Sequence, residues 1–557
     1  MAVAQVSTQA REFREAAQGG DFLVKACRGC GEKHFYPRPH CPVCGSRDVE
    51  WHKSSGTGEI YSFTIMAGAK RATAPAVIDL EDGLRLSSVI LDADVNQLRI
   101  GDPVVVAFDT AAGGVPALAF TTPEADAARA YSQRALASVL TENAKLGSGA
   151  LSRGIKLVAV IGAGNMGVGI ATAFARSGFS VLLIDQNDKA LRGALERIGE
   201  TLDRDVSRKR LSEDDAATIM EAVSTSTEIA SVVNADLVVE AVWEQMELKK
   251  AIFAEVDQYA REDVCLCSNT STLDIDEIAG ATGRPDKVVG LHFFNPAHVM
   301  KLLEIVRGAA TAPSTLAIVT QIGERLGKVP VIVGNAHGFV GNRLMIVRER
   351  EAARMLLEGA LPNQIDGVLT RFGLPMGTFE MQDMAGGIEL SYRRRQETGE
   401  KNFIIDCLFE AGRLGQKTGK GYYRYEPGKR RPLVDPDVTA IIEEASKAEG
   451  IRRRPIDDRE IEDRLILPMI NEGAKLLDEG IAQRPSDIDV AWQYGFGWPS
   501  WKGGPMYHAD QLGLDVVLSR LNSLHQAFGD PFAPSGLLQE MAGAKQSFTG
   551  RSFPDAA

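Results

Sequence analysis

Apolar residues run unbroken from Leu157 to Ile161, and from Gly167 small and apolar residues continue through GVGIATAFAR towards Gly178. A short β-branched run of this kind fits a strand buried in a parallel sheet, and the Ala-rich run fits a helix packed against it. Ser180 to Ile184 predicts a second strand, closing on Asp185. Strand-then-helix units recur in ADLVVEAVWEQMELKKAIFAEV and VCLCSNTSTLDIDEIA, and two further strands flank Asn295-Pro296 in VVGLHFFNPAHVMKLLEIV. Residues 154–336 are therefore expected to form an α/β domain of Rossmann type on a parallel sheet.

The pattern changes on both sides. Upstream, GTGEIYSFTIM, AVIDLEDGLRLSSVILD and LRIGDPVVVAFD are β-rich or alternating and broken by Gly, Asp and Pro, which predicts a small β-barrel (OB-fold) over 53–125. Residues 1–52 hold a polar helix, read as a solvated face, and two cysteine knuckles. Residues 126–153 predict a helical linker ending in a Gly/Ser hinge. Beyond Gly338 the period is helical, and it occurs twice. Asn342-Arg343-Leu344, Glu351, Leu356, Glu358-Gly359 and Ile365-Asp366 are echoed by Asp463-Arg464-Leu465, Glu472, Leu477, Glu479-Gly480 and Ile488-Asp489. The duplication predicts two all-α domains, 337–425 and 456–557, packed face to face as halves of a pseudo-dimer, with a Pro- and Gly-rich linker at 426–455.

Composition narrows the class. A chain of 557 residues exceeds one hydrophobic core, and 62 basic against 74 acidic side chains leave a formal charge of −12. That balance argues against a general binder of nucleic acid or anionic membranes. The barrel aromatics Tyr61, Phe63 and Phe108 are too few, and too far from basic runs, to form a platform for single strands. No apolar run reaches the roughly 18 residues a membrane span needs. The first residues lack the basic start and apolar core of a secretory signal. Cys265, Cys267 and Cys407 lie scattered in apolar segments, so a reducing cytoplasm with one metal site is expected.

Cys27, Cys30, Cys41 and Cys44 make C-x2-C-x10-C-x2-C with glycine or proline beside each pair. Such knuckles set four thiolates at the corners of a tetrahedron, the closed geometry of structural zinc, with iron in a rubredoxin-like knuckle as the alternative. Four thiolates complete the shell, so His34 and His40 between the pairs read as surface histidines. Gly162, Gly164 and Gly167, with Met166 before the last, stand at G-x-G-x-x-G spacing between strand and helix. They suit a tight turn, close approach to a pyrophosphate and tight helix packing, and Asp185 suits a ribose 2′-hydroxyl. An acid there disfavours a 2′-phosphate, so NAD is expected rather than NADP.

Two resemblances extend this reading. The ribbon, the GTGEIYSFTI strand, the IDLEDGLRL hairpin and LRIGDPVVV resemble the ribbon plus OB-fold proteins that accompany thiolases and other acyl-CoA enzymes. This implies a module that docks a thiolase or contacts acyl-CoA. GAGNMG, VVEAVWE, SNTSTL, GLHFFNPAHVMKLLEIV and HGFVGNRL, in that order over about 155–425, closely resemble the L-3-hydroxyacyl-CoA dehydrogenase family. The doubled helical region is similar to the dehydrogenase half of multifunctional fatty-acid oxidation enzymes. Those carry an enoyl-CoA hydratase where this chain has ribbon and barrel, so no hydration step is expected.

The family implies NAD-dependent oxidation of an L-3-hydroxyacyl-CoA to the 3-oxoacyl-CoA. A related dehydrogenase of a non-CoA hydroxy acid is the alternative. Removing the 3-hydroxyl proton needs a base, for which His292 is the candidate. Glu304, twelve residues on, would fix its tautomer as the acid of a triad does. Ser271 and Asn342 would hold the substrate oxygen. Carried over from the family motifs, Glu244, Lys249, Asn295 and Ser271 would contact the cofactor. The basic knot Arg208-Lys209-Arg210 reads either as solvated surface or as a contact for CoA phosphates. One active site per chain is expected, because Asp463 replaces Asn342 in the second copy. A homodimer stays open.

Overall fold

The computed structural model describes residues 8–66, 73–109, 116–146, 154–398, 402–429 and 431–553. The chain forms two compact units, one of residues up to 131 with 500–502, the other of 132–499 with 503–557. In the first unit, helix α1 (Thr8–Gln18) precedes a three-stranded antiparallel sheet, β1 (Leu23–Cys27), β2 (Lys33–His34) and β3 (Val49–Lys53), in the order β2-β1-β3. The N-terminal helix is not merely a solvated face. Its Phe13 is buried, 5.5 Å from the Phe35 ring and 6.5 Å from that of Phe22.

Next come β4 (Thr57–Phe63), β5 (Ala74–Leu80), β6 (Arg85–Ile90), β7 (Pro103–Asp109) and β8 (Ala117–Thr121), closed in the order β4-β5-β6-β8-β7. Strand APAVIDL buries every second residue, as alternation requires of a barrel wall with one face inside. Pairing is antiparallel except between β6 and β8, which close the barrel through the single pair Ile90–Phe120, as in the partly open barrel of an OB-fold.

Helix α2 (Pro123–Lys145) carries the chain onward, beginning three residues earlier than the expected linker. The Gly/Ser hinge expected at 147–153 lies outside the described residues. The nucleotide fold runs β9 (Leu157–Ile161), α3 (Asn165–Arg176), β10 (Ser180–Ile184), α4 (Asp188–Ser207), α5 (Glu213–Glu221), β11 (Val223–Ser226), β12 (Leu237–Glu240), α6 (Met246–Tyr259), β13 (Cys265–Ser268), α7 (Ile275–Ala279), β14 (Val288–Phe293), β15 (Leu302–Arg307), α8 (Pro313–Arg325) and β16 (Val329–Gly334). Its eight strands lie in the order β11-β10-β9-β12-β13-β14-β15-β16. All neighbours are parallel except β14 and β15, so the expected parallel sheet holds with one antiparallel pair. The loop around Asn295-Pro296 is too short for a crossover and can only return the chain antiparallel. β9 sits between β10 and β12, so the strand order reverses there, where open α/β sheets bind ligands at their carboxyl ends.

The helical region comprises α9 (Gly341–Glu358), α10 (Pro362–Phe372), α11 (Thr378–Ala385), α12 (Gly387–Thr398) and α13 (Phe403–Glu410), then α14 (Pro436–Ala448), then α15 (Asp458–Asp478), α16 (Pro485–Phe496), α17 (Pro505–Leu512), α18 (Leu514–Phe528) and α19 (Gly536–Gly543). Five helices on each side of α14 follow the sequence repeat. Arg343 of α9 pairs with Glu472 at 2.6 Å and also with Glu479, while its echo Arg464 pairs with Glu351 at 3.0 Å and with Glu358. Each contact and its reverse both occur, which is the mark of a two-fold interface, here formed within one chain. The segment 426–455 is no open linker: Val438, Ile442 and Ala445, at i, i+4 and i+7, form the buried side of α14.

Candidate active site

The glycine turn is built for a ligand. Gly162 has φ 108°, and a Cβ there would lie 2.6 Å from the Ala241 carbonyl oxygen; at Gly167 a Cβ would lie 1.8 Å from that of Gly162. Both are glycine because protein atoms exclude anything larger. Gly164, which caps α3, has nothing within 4 Å of an added Cβ, so the open space over this helix end suits a pyrophosphate. Asp185, at the end of β10, accepts from the Ala163 amide (2.8 Å) and the Asn187 amide (2.9 Å), which aims its carboxylate along the turn. Met166 is half-buried against the core of the nucleotide fold.

Beside the turn, the loop after β12 and the loop after β13 are tied by Glu244. It accepts from the Thr270 hydroxyl (2.6 Å), the Ser271 amide (2.7 Å) and the Ser271 hydroxyl (3.1 Å), and Lys249 Nζ is 3.4 Å away. Burial pushes the Glu244 carboxyl up, but the Lys249 charge and these bonds outweigh it and hold it below the usual carboxylate range. Lys249 is fully buried and also donates to Glu240 at 2.7 Å, and Glu240 accepts from the Ser268 hydroxyl at 2.7 Å. Glu240 escaped the sequence reading, although the pair of glutamates four apart in VVEAVWE was its signal.

His292 and Glu304 face each other in the register of β14 and β15, with Nδ1 2.7 Å from Glu304 Oε2. Glu304 is fully buried, and its Oε1 accepts the amides of Gly341 (2.8 Å) and Val340 (3.3 Å) at the start of α9. Gly338 and Phe339 both have positive φ, and this turn swings the two amides onto the carboxylate. A Cβ at Gly341 would lie 2.6 Å from the Phe496 ring, so that glycine keeps α9 close. With two amides fixed on Oε1, the Glu304 carboxylate meets the ring as an acceptor, which favours the imidazole proton on Nδ1 and leaves Nε2 without one. Phe294 and Phe339 flank the ring at 4.4 Å and 5.7 Å, and Phe294 meets Phe496 of α16 at 5.5 Å. The second helical copy thus helps wall the site. On α9, Asn342 Nδ2 reaches the Ser271 carbonyl at 3.4 Å.

Family comparisons agree with this geometry. Residues 157–336 match the 3-hydroxyacyl-CoA dehydrogenase NAD binding domain, and residues 338–425 and 461–553 each match the C-terminal domain. The dehydrogenase part of multifunctional enzyme 1 from C. elegans is 31% identical with a TM-score of 0.55, covering 74% of this chain and 96% of that one. The chain belongs to the 3-hydroxyacyl-CoA dehydrogenase family. The 3-hydroxybutyryl-CoA dehydrogenase from Escherichia coli K12 matches at 28% identity with a TM-score of 0.61, over 71% of this chain and 99% of that one. The peroxisomal bifunctional enzyme of Danio rerio is 40% identical over 410 residues, 70% of this chain and 56% of the relative. The chain therefore spans about half the length of the curated relatives it matches.

The other site residues expected from the sequence fall in different places. Asn295 is exposed on the loop between β14 and β15. Arg208 is exposed at the C-cap of α4, a 20-residue helix that starts near Asp185 and ends about 30 Å from it. The ribbon matches the rubredoxin-like zinc ribbon domain of ChsH2 at 14–50 and the barrel its C-terminal OB-fold domain at 51–109. The four cysteine sulfurs lie within 4.8 Å of one another, with Cys27–Cys44 at 3.6 Å and Cys30–Cys41 at 3.7 Å. A tetrahedron of about 2.3 Å Zn–S bonds has edges of about 3.8 Å, so the donor set fits structural zinc. His40 is exposed, but His34 is buried on β2, which corrects its reading as a surface histidine. Among the described residues no helix is long and apolar enough to cross a membrane.

Proposed function

We propose that this chain oxidises an L-3-hydroxyacyl-CoA to the 3-oxoacyl-CoA with NAD, and that the observation carrying the reading is the 2.7 Å contact between His292 Nδ1 and a fully buried Glu304. His292 Nε2 takes the proton of the 3-hydroxyl, and the Glu304 carboxylate stabilises the imidazolium that results. Asn342 Nδ2, in a long bond to the Ser271 carbonyl, turns to the substrate oxygen, and the Ser271 hydroxyl joins it. Bound over the glycine turn, the nicotinamide supplies the hydride acceptor. Asp185 would hold the ribose, and Glu244 and Asn295 the nicotinamide side of the cofactor; Lys249, expected from the sequence to touch it, is fully buried and would act by holding Glu244 from behind. The basic knot at Arg208 is left for the CoA phosphates, at the outer end of α4.

The test is a panel of 3-hydroxyacyl-CoA thioesters and free hydroxy acids, run with NAD and NADP and read as reduced-cofactor absorbance. Turnover of thioesters with NAD is expected, reduced about 100- to 10,000-fold in His292→Ala. Turnover of a free acid but not its thioester would decide for the alternative, and an unaffected His292→Ala would end the assignment.

The ribbon and barrel we read as a docking module for a thiolase or related acyl-CoA enzyme, passing on the 3-oxo product. Its support is the match to ChsH2 ribbon and OB-fold domains, with Tyr36 and Val43 of the knuckle region exposed. Unchanged partners on co-purification after removal of residues 1–125 would end this reading. The Danio rerio relative is named peroxisomal, and the cytoplasm proposed from cysteine usage is tested by locating the tagged chain.

A further inference from the structure

The loop from Phe294 to Lys301 joins the strand of His292 to that of Glu304 and carries Asn295. It is pinned from two sides. On one side Ala297 is buried against α3, where a Cβ at Gly169 would lie 3.1 Å from the Ala297 Cβ. On the other side stands Lys328, 8% exposed, whose Nζ donates to the carbonyls of Ala297 and, at 2.6 Å, of Met300. Lys301 returns the tie by donating from Nζ to the Gly327 carbonyl at 3.1 Å. An ammonium taken out of water costs free energy unless its donors are satisfied, and here two main-chain oxygens of a single loop take two of its three N–H groups. Mere packing would be met by an apolar side chain.

We infer that Lys328 is a positioning residue of the redox site: its ammonium clamps the Ala297 and Met300 carbonyls and so fixes the loop that carries Asn295, whose Ala297 is seated on the glycine helix. The inference rests on the proposed placement of Asn295 beside the nicotinamide. Burial first, and the nearby Lys301 charge second, bring the Lys328 ammonium down to about 8. The other titratable and charged groups around this corner are His298 of the loop, Arg176 of α3, and Arg204 and Asp205 of α4. The folded-state value lies below the ordinary 10.5, so the charged clamp is largely complete at about pH 7, half lost at about pH 8 and weaker still above it.

Three measurements on the full chain test this. NADH titrated by fluorescence into the wild-type protein should bind more weakly at about pH 9 than at about pH 7; equal affinity would overturn the inference with no variant needed. Lys328→Met should lose about tenfold or more in kcat/KM for NAD, the scale of a lost bond to a charged group; a change within about twofold would refute it. Lys328→Arg should keep most of its activity and hold it above pH 8 where the wild type declines; a shared alkaline decline would refute the clamp. If no 3-hydroxyacyl-CoA is turned over at all, the proposed function fails, while the NADH titration still decides the role of Lys328.

Discussion

Replacing Glu304 by Gln exchanges an oxygen for an NH2 group and tests the proposed catalytic pair directly. Glu304 Oε2 receives His292 Nδ1 at 2.7 Å, and Oε1 receives the Gly341 and Val340 amides. All the partners that meet it are donors, so an amide NH2 has no acceptable place. Set toward α9, it faces two N–H groups and leaves buried donors unpaired, at about 1–3 kcal/mol. Set toward His292, it forces the ring to accept at Nδ1 and moves the proton to Nε2, where the base is needed. Either arrangement also removes the charge that stabilises the imidazolium. Glu304→Gln should therefore lower kcat by about 100- to 10,000-fold. NADH binding should stay near wild type, because Glu304 does not touch the glycine turn. Stopped-flow turnover with a 3-hydroxyacyl-CoA and a separate NADH titration give the two numbers. A variant retaining more than about a tenth of kcat would show that His292 does not depend on this carboxylate.

Other expectations concern the scaffold. Arg464→Ala leaves the buried Glu351 without its 3.0 Å partner and should cost about 3–5 kcal/mol in denaturant unfolding, against nearly nothing if the cross-copy pairs are ornamental. Burial raises the Asp366 carboxyl to about 6, above its unfolded value, so its contribution to stability is greatest at acid pH and declines as pH rises through 6. Tyr423 donates to Asp366 at 2.8 Å. Tyr423→Phe should therefore cost more at about pH 7.5, where the bond is to a carboxylate (about 1.5–3 kcal/mol), than at about pH 5 (about 0.5–1.5 kcal/mol). Equal costs by thermal unfolding at the two pH values would contradict the raised titration. Cys41→Ser should release zinc by metal analysis while NAD-dependent turnover persists, since the proposed reaction uses residues of the other unit alone; parallel loss of both would tie the metal to catalysis.

Local rules made much of this protein readable. The glycine spacing, the run of buried strands, the four cysteines and the repeat of Arg343 and Glu351 as Arg464 and Glu472 are periodicities, and periodicity lies in the sequence itself. His292 and Glu304 were also within reach, because a two-strand return pairs residues at a computable separation. The helix between the copies was masked by the Pro- and Gly-rich start of its segment, and the burial of Phe13 and His34 depends on neighbours that only folding supplies. The convergence at Glu304 belongs to tertiary structure for the same reason. Its two amide donors lie 36 and 37 residues further on, at the start of another helix, and reach it only through the left-handed turn at Gly338 and Phe339. No short-range pattern encodes that approach, or the path by which Lys328 reaches the Ala297 and Met300 carbonyls. The sequence by itself determined which groups could act, and tertiary structure decided which of them meet, because main-chain donors and acceptors are alike at every position and take their meaning from where the fold brings them.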